Sequence, residues 1–236
     1  MTSGELLSAI KDVDQNEIRA AAYVIVYIGA NDILSLVSNE MNALTDGNNP
    51  SISEFNEAAA RLNSVAFKAD AQNAVDMFKE NYAEIINYIK TLNNNIMAAT
   101  IYNPYDGIII ENPYLGLNRL NLGLLTEEWI EKLNAVIASY SELKIADVFS
   151  AFASYKGEAP LVNAYVDILD MDYEFDPHPT IDGQKLIAEV FQAKYSEAPP
   201  KNEQKSYLWL IILSSCLGGA AIIGGTVLFV LRKRKR

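Results

Sequence analysis

Residues 21–28 (AAYVIVYI) are continuously apolar and rich in β-branched side chains. That pattern predicts a strand buried on both faces. Gly29-Ala30-Asn31-Asp32 follow it directly. Residues 53–92 place apolar side chains near i, i+3, i+4 and i+7, which predicts helices with one face on a core. Residues 95–101 read as the next strand, ended by Asn103-Pro104. A helix is predicted over 126–140 with Thr126 as N-cap, then a strand over 143–149. The last amphipathic helix covers 180–194 and stops before Pro199-Pro200. Strands alternating with helices imply an α/β fold whose parallel sheet is covered on both sides. Ligands of such sheets collect at the carboxyl ends of the strands. That rule puts Gly29 to Asp32, Asn103-Pro104-Tyr105 and the turn around His178 on one rim.

The final pattern is different. Residues 207–231 run for 25 positions without a charge, and RKRKR follows at once. At ~1.5 Å per residue, a helix of that length crosses a ~30 Å hydrocarbon layer. Basic residues stay on the cytoplasmic side, so the reading is a single-pass anchor in the cell membrane with the body outside. No LPxTG-like sorting motif precedes the apolar run. Residues 1–196 then form the main domain, 197–206 a polar linker, 207–231 the transmembrane helix and 232–236 a cytoplasmic basic tail. The beginning does not match this plan, because MTSGELLSAIKDVDQ has no basic start followed by an apolar stretch and so is no export signal.

Charge sharpens the picture. The net charge of −11 includes +5 from the last five residues, which leaves −11 − 5 = −16 on the rest. An acidic body excludes nucleic acid as an expected partner. The single cysteine, Cys216, allows no intrachain disulfide. One histidine and one cysteine make a zinc site of the usual ligand types an unexpected feature, and no metal is assigned.

That lone histidine, His178, sits between Pro177 and Pro179, with Asp176 two residues upstream. "YIGANDIL" (27–34) resembles the G-x-N-D block of the SGNH (GDSL-type) hydrolases. "DPHPTIDGQKLIAEVF" (176–191) resembles their closing D-x-x-H-P block, and "YNPY" (102–105) a strand end of bacterial members. The similarity covers roughly residues 1–195. It implies a flavodoxin-like three-layer αβα fold and ester hydrolysis by a serine without a cofactor. It further implies His178 as the base, Asp176 as its carboxylate partner and Asn31 as an oxyanion donor, with Gly29, Asp32 and Asn103 in the substrate and oxyanion vicinity. Histidine suits that task because its pKa lies near neutrality. A carboxylate fixes its tautomer, and an amide N–H can meet the developing oxyanion.

Two departures matter. The family commonly places the aspartate three residues before the histidine, where this chain has Phe175. The nucleophile of the family lies in a Gly-Asp-Ser motif after the first strand, and this chain has no such motif. MTSGELLSAI resembles a "G-x-T-S-x-x-L-L"-like stretch that follows that block. Met1 is therefore expected to correspond to an internal position, with the export signal, first strand and nucleophile upstream. The expected partners are the bilayer, through 207–231, and an ester substrate, either a lipid or an acylated glycan. The rival readings are a non-catalytic surface module on a degenerate hydrolase fold and a purely structural tail-anchored protein. More modest roles also exist: Gly29 for a positive φ, Asn103-Pro104 as a strand terminator, Gly183 for close helix packing, and Glu127, Glu128 and Glu131 as a solvated helix face.

Overall fold

A computed structural model describes residues 1–45, 51–167, 172–197, 209–214 and 227–230. Two short helices, α1 (Ser3–Ala9) and α2 (Gln15–Ala20), are joined by a 3-10 turn and lead into β1 (Tyr23–Tyr27). Then come α3 (Ala30–Thr45), α4 (Ile52–Leu62), α5 (Val65–Lys90) and β2 (Ile96–Ala99). A hairpin of β3 (Ile109–Asn112) and β4 (Leu117–Asn121) precedes α6 (Leu122–Ala138). β5 (Lys144–Ala146), α7 (Val148–Ala153), the small pair β6 (Tyr165–Asp167) and β7 (Asp172–Glu174), and α8 (Ile181–Ser196) complete the body. β8 (Trp209–Ser214) and β9 (Val227–Val230) follow.

The main sheet has the order β5-β2-β1-β8-β9. β5, β2, β1 and β8 run parallel, and β9 is antiparallel to β8. Side chains alternate across it as the pleat requires. Val24, Val26, Ile96 and Ala98 join the larger core, which also holds Val37, Phe78, Ile85 and Ile130 from α3, α5 and α6. Tyr23, Ile25 and Met97 face the other way, onto Phe191 and Tyr195 of α8. The result is an α/β three-layer sandwich with a mostly parallel sheet. α8 runs antiparallel to β1: Phe191 meets Tyr27 edge to face, and Tyr195 meets Tyr23 at the opposite end of the strand.

Local chemistry sets the boundaries. The helical pattern over 53–92 divides at Ser64, whose hydroxyl accepts from the Phe67 N–H at 3.0 Å and starts α5. Ser51 and Glu54 form a capping box that starts α4. α6 begins earlier than Thr126, because Asn121 is its N-cap and accepts from the Leu124 N–H at 3.0 Å. The strand expected over 143–149 is cut to three residues by Asp147, which caps α7 through the Ser150 N–H.

The C-terminal apolar run is described only in part. Among the described residues no helix is long and apolar enough to cross a membrane. Of the predicted span 207–231, residues 209–214 and 227–230 are strands, and the rest lies outside the described residues. β8 pairs with β1 from Tyr23↔Leu210 to Tyr27↔Ser214. An apolar run such as WLIILS satisfies the backbone groups along the outer edge of β1, and an unpaired edge invites such pairing.

Candidate functional site

The residues singled out above converge on the carboxyl ends of β1 and β2. β1 leads through Ile28 into Gly29, whose φ of 118° is one that side-chain-bearing residues rarely adopt. The space is closed as well, since a Cβ there would lie 2.6 Å from the Phe78 ring and 2.9 Å from Ile101 Cδ1. This turn puts Asn31 in the first turn of α3, 5 % exposed. Its Oδ1 is buried with no hydrogen-bond partner.

His178 arrives from the other direction, on the turn before α8. Its Nδ1 contacts Asp176 Oδ1 closely. The same carboxylate accepts from the His178 backbone N–H at 3.0 Å and from Asn163 Nδ2 at 3.0 Å. Burial opposes ionisation of Asp176, but these hydrogen bonds outweigh it and hold its pKa below the ordinary carboxylate value. An ionised Asp176 requires a proton on Nδ1, which leaves the lone pair of a neutral imidazole on Nε2. That Nε2 is buried and has no partner. Asn31 and His178 line one cavity of about 50 Å³, together with Tyr27, Ile101, Tyr102 and Ile187 among others.

The turn is held by many bonds. Tyr102 OH donates to Pro177 O at 2.8 Å, and Tyr105 OH donates to Phe175 O at 3.0 Å. The Asn163 N–H donates to His178 O at 3.0 Å, and Val162 bridges Pro179. Thr180 caps α8 by accepting from the Gly183 N–H at 3.2 Å, and its own N–H donates to Leu161 O at 2.9 Å. Gly183 is required by packing, since a Cβ there would sit 2.1 Å from Leu161 O.

Asp32 and Asn103 are engaged elsewhere. Asp32 accepts from the Ser3 N–H at 2.9 Å and from Ser3 Oγ at 2.6 Å, so it ties α1 to the start of α3. Burial still pushes its pKa up, against those two bonds. Asn103 Oδ1 accepts from the Tyr105 N–H at 3.1 Å and from Thr126 Oγ1 at 2.7 Å, while its Nδ2 donates to Gly123 O at 2.9 Å. Its amide braces the loop after β2 against α6.

A second cleft of about 250 Å³ adjoins the first. Tyr102 lines the smaller cavity and stacks at 4.3 Å on Phe152, which lines the larger one. Asn103, Asp106 and Glu127 border it as well. Glu127 is thus half-buried in a cleft wall rather than on a solvated face, whereas Glu128 pairs with Lys132 at 3.2 Å. Asn163 was not legible as a site residue, because the loop 154–164 carries no periodic pattern, and Phe149 was read as the end of a strand rather than part of α7. The two tyrosines of "YNPY" were the available signal for the clamps on the histidine turn.

No curated protein sequence matches the chain. Solved structures resemble it at low identity. A lipase from a goat rumen metagenome aligns at 16 % identity and a TM-score of 0.49, covering 82 % of this chain and 74 % of its own. An acetyl-xylooligosaccharide esterase from Geobacillus aligns at 12 % and 0.45, covering 86 % and 71 %. An extracellular lipase from Streptomyces rimosus aligns at 15 % and 0.46, covering 82 % and 76 %. The sequence itself matches the GDSL-like lipase/acylhydrolase family over residues 2–191, most of its length, and the chain belongs to that family.

Proposed function

We propose that the protein works as the carboxyl-terminal part of a membrane-anchored, outward-facing esterase or acylhydrolase that cleaves acyl or acetyl esters through an acyl-enzyme. The observation that carries this reading is the buried, unpartnered His178 Nε2, which shares one small cavity with the buried amide of Asn31. Buried polar atoms without partners are rare and call for an explanation. A serine hydroxyl that donates to His178 Nε2 supplies one. The serine hydroxyl gives its proton to His178 Nε2 as its oxygen attacks the acyl carbon. The Asn31 amide N–H donates to the oxyanion. Asp176 steadies the imidazolium, which then returns the proton to the leaving alcohol.

Among the described residues no serine lines that cavity. In this reading the nucleophile belongs to a Gly-Asp-Ser block that the given sequence does not contain. Residues 207–231 serve as the anchor in this reading, and 209–214 exchange the edge of β1 for the bilayer. The chain by itself is then inactive. The same lack of a serine favours the second reading, a surface module that binds its ligand without cleaving it.

Labelling with a fluorophosphonate probe separates the two. The protein extended by its upstream reading frame is expected to label and to hydrolyse p-nitrophenyl acetate, and His178→Ala should cost on the order of 10⁴-fold or more. The chain starting at Met1 should do neither. Turnover by that short chain, abolished by His178→Ala, would contradict the missing nucleophile. An extended protein that stays unlabelled would leave only the binding module.

A further inference from the structure

We infer that the 250 Å³ cleft beside the histidine turn binds a neutral sugar ring, which makes the alcohol half of the substrate a glycan rather than a lipid headgroup. The assignment of an alcohol half rests on the hydrolase reading; the sugar site does not. The cleft lies between the loop after β2, the start of α6, α7 and residues 160–164. Its size is just under the ~300 Å³ at which sites for drug-sized ligands begin, so it takes one ring rather than an extended chain.

The walls divide into two kinds. Phe149, Phe152, Leu161 and Val162 give apolar surface, and Phe152 is fixed by its stack on Tyr102. Asp106 and Glu127 give carboxylates, and among the described residues neither has a hydrogen-bond or ion-pair partner. An ionised carboxylate only accepts hydrogen bonds, so it selects ligands that donate them. A sugar offers both halves: O–H donors along its edge and C–H groups on its face.

The alternatives fit less well. The cleft has no Lys, Arg or His in its lining, so nothing there neutralises a phosphate or a carboxylate. The acidic body adds repulsion to any anionic headgroup. A quaternary ammonium group is best held by an aromatic cage, and here the two phenylalanines share the walls with aliphatic side chains. Position supports the assignment too. Asn163 N–H donates to His178 O, and Asn163 Nδ2 to Asp176, so the segment that walls the cleft is bonded to the catalytic turn.

The test is direct binding to the full chain, read by saturation-transfer NMR. The probes are the cello-, xylo-, malto- and N-acetylchito-tetrasaccharides, with choline and glycerol 3-phosphate as the charged comparators. At least one tetrasaccharide is expected to bind at millimolar concentration, and neither comparator should compete with it. Glu127→Gln keeps the shape of the side chain and breaks no internal bond; it should weaken sugar binding about fivefold, since charge-assisted hydrogen bonds are about twice as strong as neutral ones. Phe152→Leu should weaken it as well, by removing the flat face. No binding by any tetrasaccharide, preference for choline or glycerol 3-phosphate, or sugar binding untouched by both variants would overturn the inference. The result is separable from the hydrolase reading. Sugar binding with no fluorophosphonate labelling of the extended protein defeats the hydrolase and leaves the site. Labelling without sugar binding does the reverse.

Discussion

β1 and β2 are neighbours, run parallel and both end in a turn that holds an asparagine, yet the two ends are finished differently. At the end of β2 each amide is closed. Asn134 of α6 accepts from the Ile101 N–H at 2.7 Å and donates to Ile101 O at 2.9 Å, and Asn103 is bonded at both of its polar atoms. At the end of β1, Asn31 is as well buried but its oxygen has no partner, and His178 across the cavity has an unpartnered Nε2. Closed asparagines hold the loops in place. An open one, kept out of water, carries an acceptor for which the fold supplies no donor.

The largest effect that would break this comparison is Gly29→Ala. It combines a φ only glycine adopts readily with a clash on Phe78, and should cost about 4 kcal/mol of stability in urea unfolding. A cost near zero would mean that the β1 turn is not held as tightly as its geometry implies.

Next comes a pair. Asn134→Ala strands the N–H and C=O of Ile101, which is 1 % exposed, and should cost about 3 kcal/mol. Asn31→Ala removes an acceptor that is already stranded and should change stability by no more than about 1 kcal/mol, in either direction, as expected of a group kept for function. Equal losses from the two substitutions would erase the distinction between the strand ends.

The smallest effect is a change of slope with pH. Asp176 has a depressed pKa in the folded chain, so its stabilisation is present above the ordinary carboxylate range and fades as pH falls toward the depressed value. Thermal unfolding of Asp176→Asn against pH should therefore lose part of its acid limb. An unchanged acid limb would show that the hydrogen bonds to Asp176 are not what holds the turn.

Much of this was legible in the sequence, and the exceptions have physical causes. The buried strand at 21–28, the strand at 95–101 and the helix at 180–194 follow from periodicity alone, and they position Asn31 and His178 on one rim. α3 went unread, although Ile33, Leu34, Val37 and Met41 recur on one helical face. The β3–β4 hairpin was harder. Its strands are four and five residues long, and four of their nine positions are exposed. Apolar runs such as 207–231 are ambiguous in principle, because hydrophobicity states only that a segment avoids water. Sheet edge and bilayer both satisfy that demand. The contacts of Asn163 depend on residues thirteen and more positions away, and no local pattern reports them.

The direction of α8 has a consequence for how the molecule meets its surroundings. The helix starts at the histidine turn and descends alongside β1, so that Tyr195 rests on Tyr23 at the strand's far end. Its 16 residues span roughly 24 Å at ~1.5 Å each. α8 therefore ends at the pole opposite the rim that holds Asn31 and His178. A tether attached there would present the mouth of the site to the open medium, like a cup held by its base.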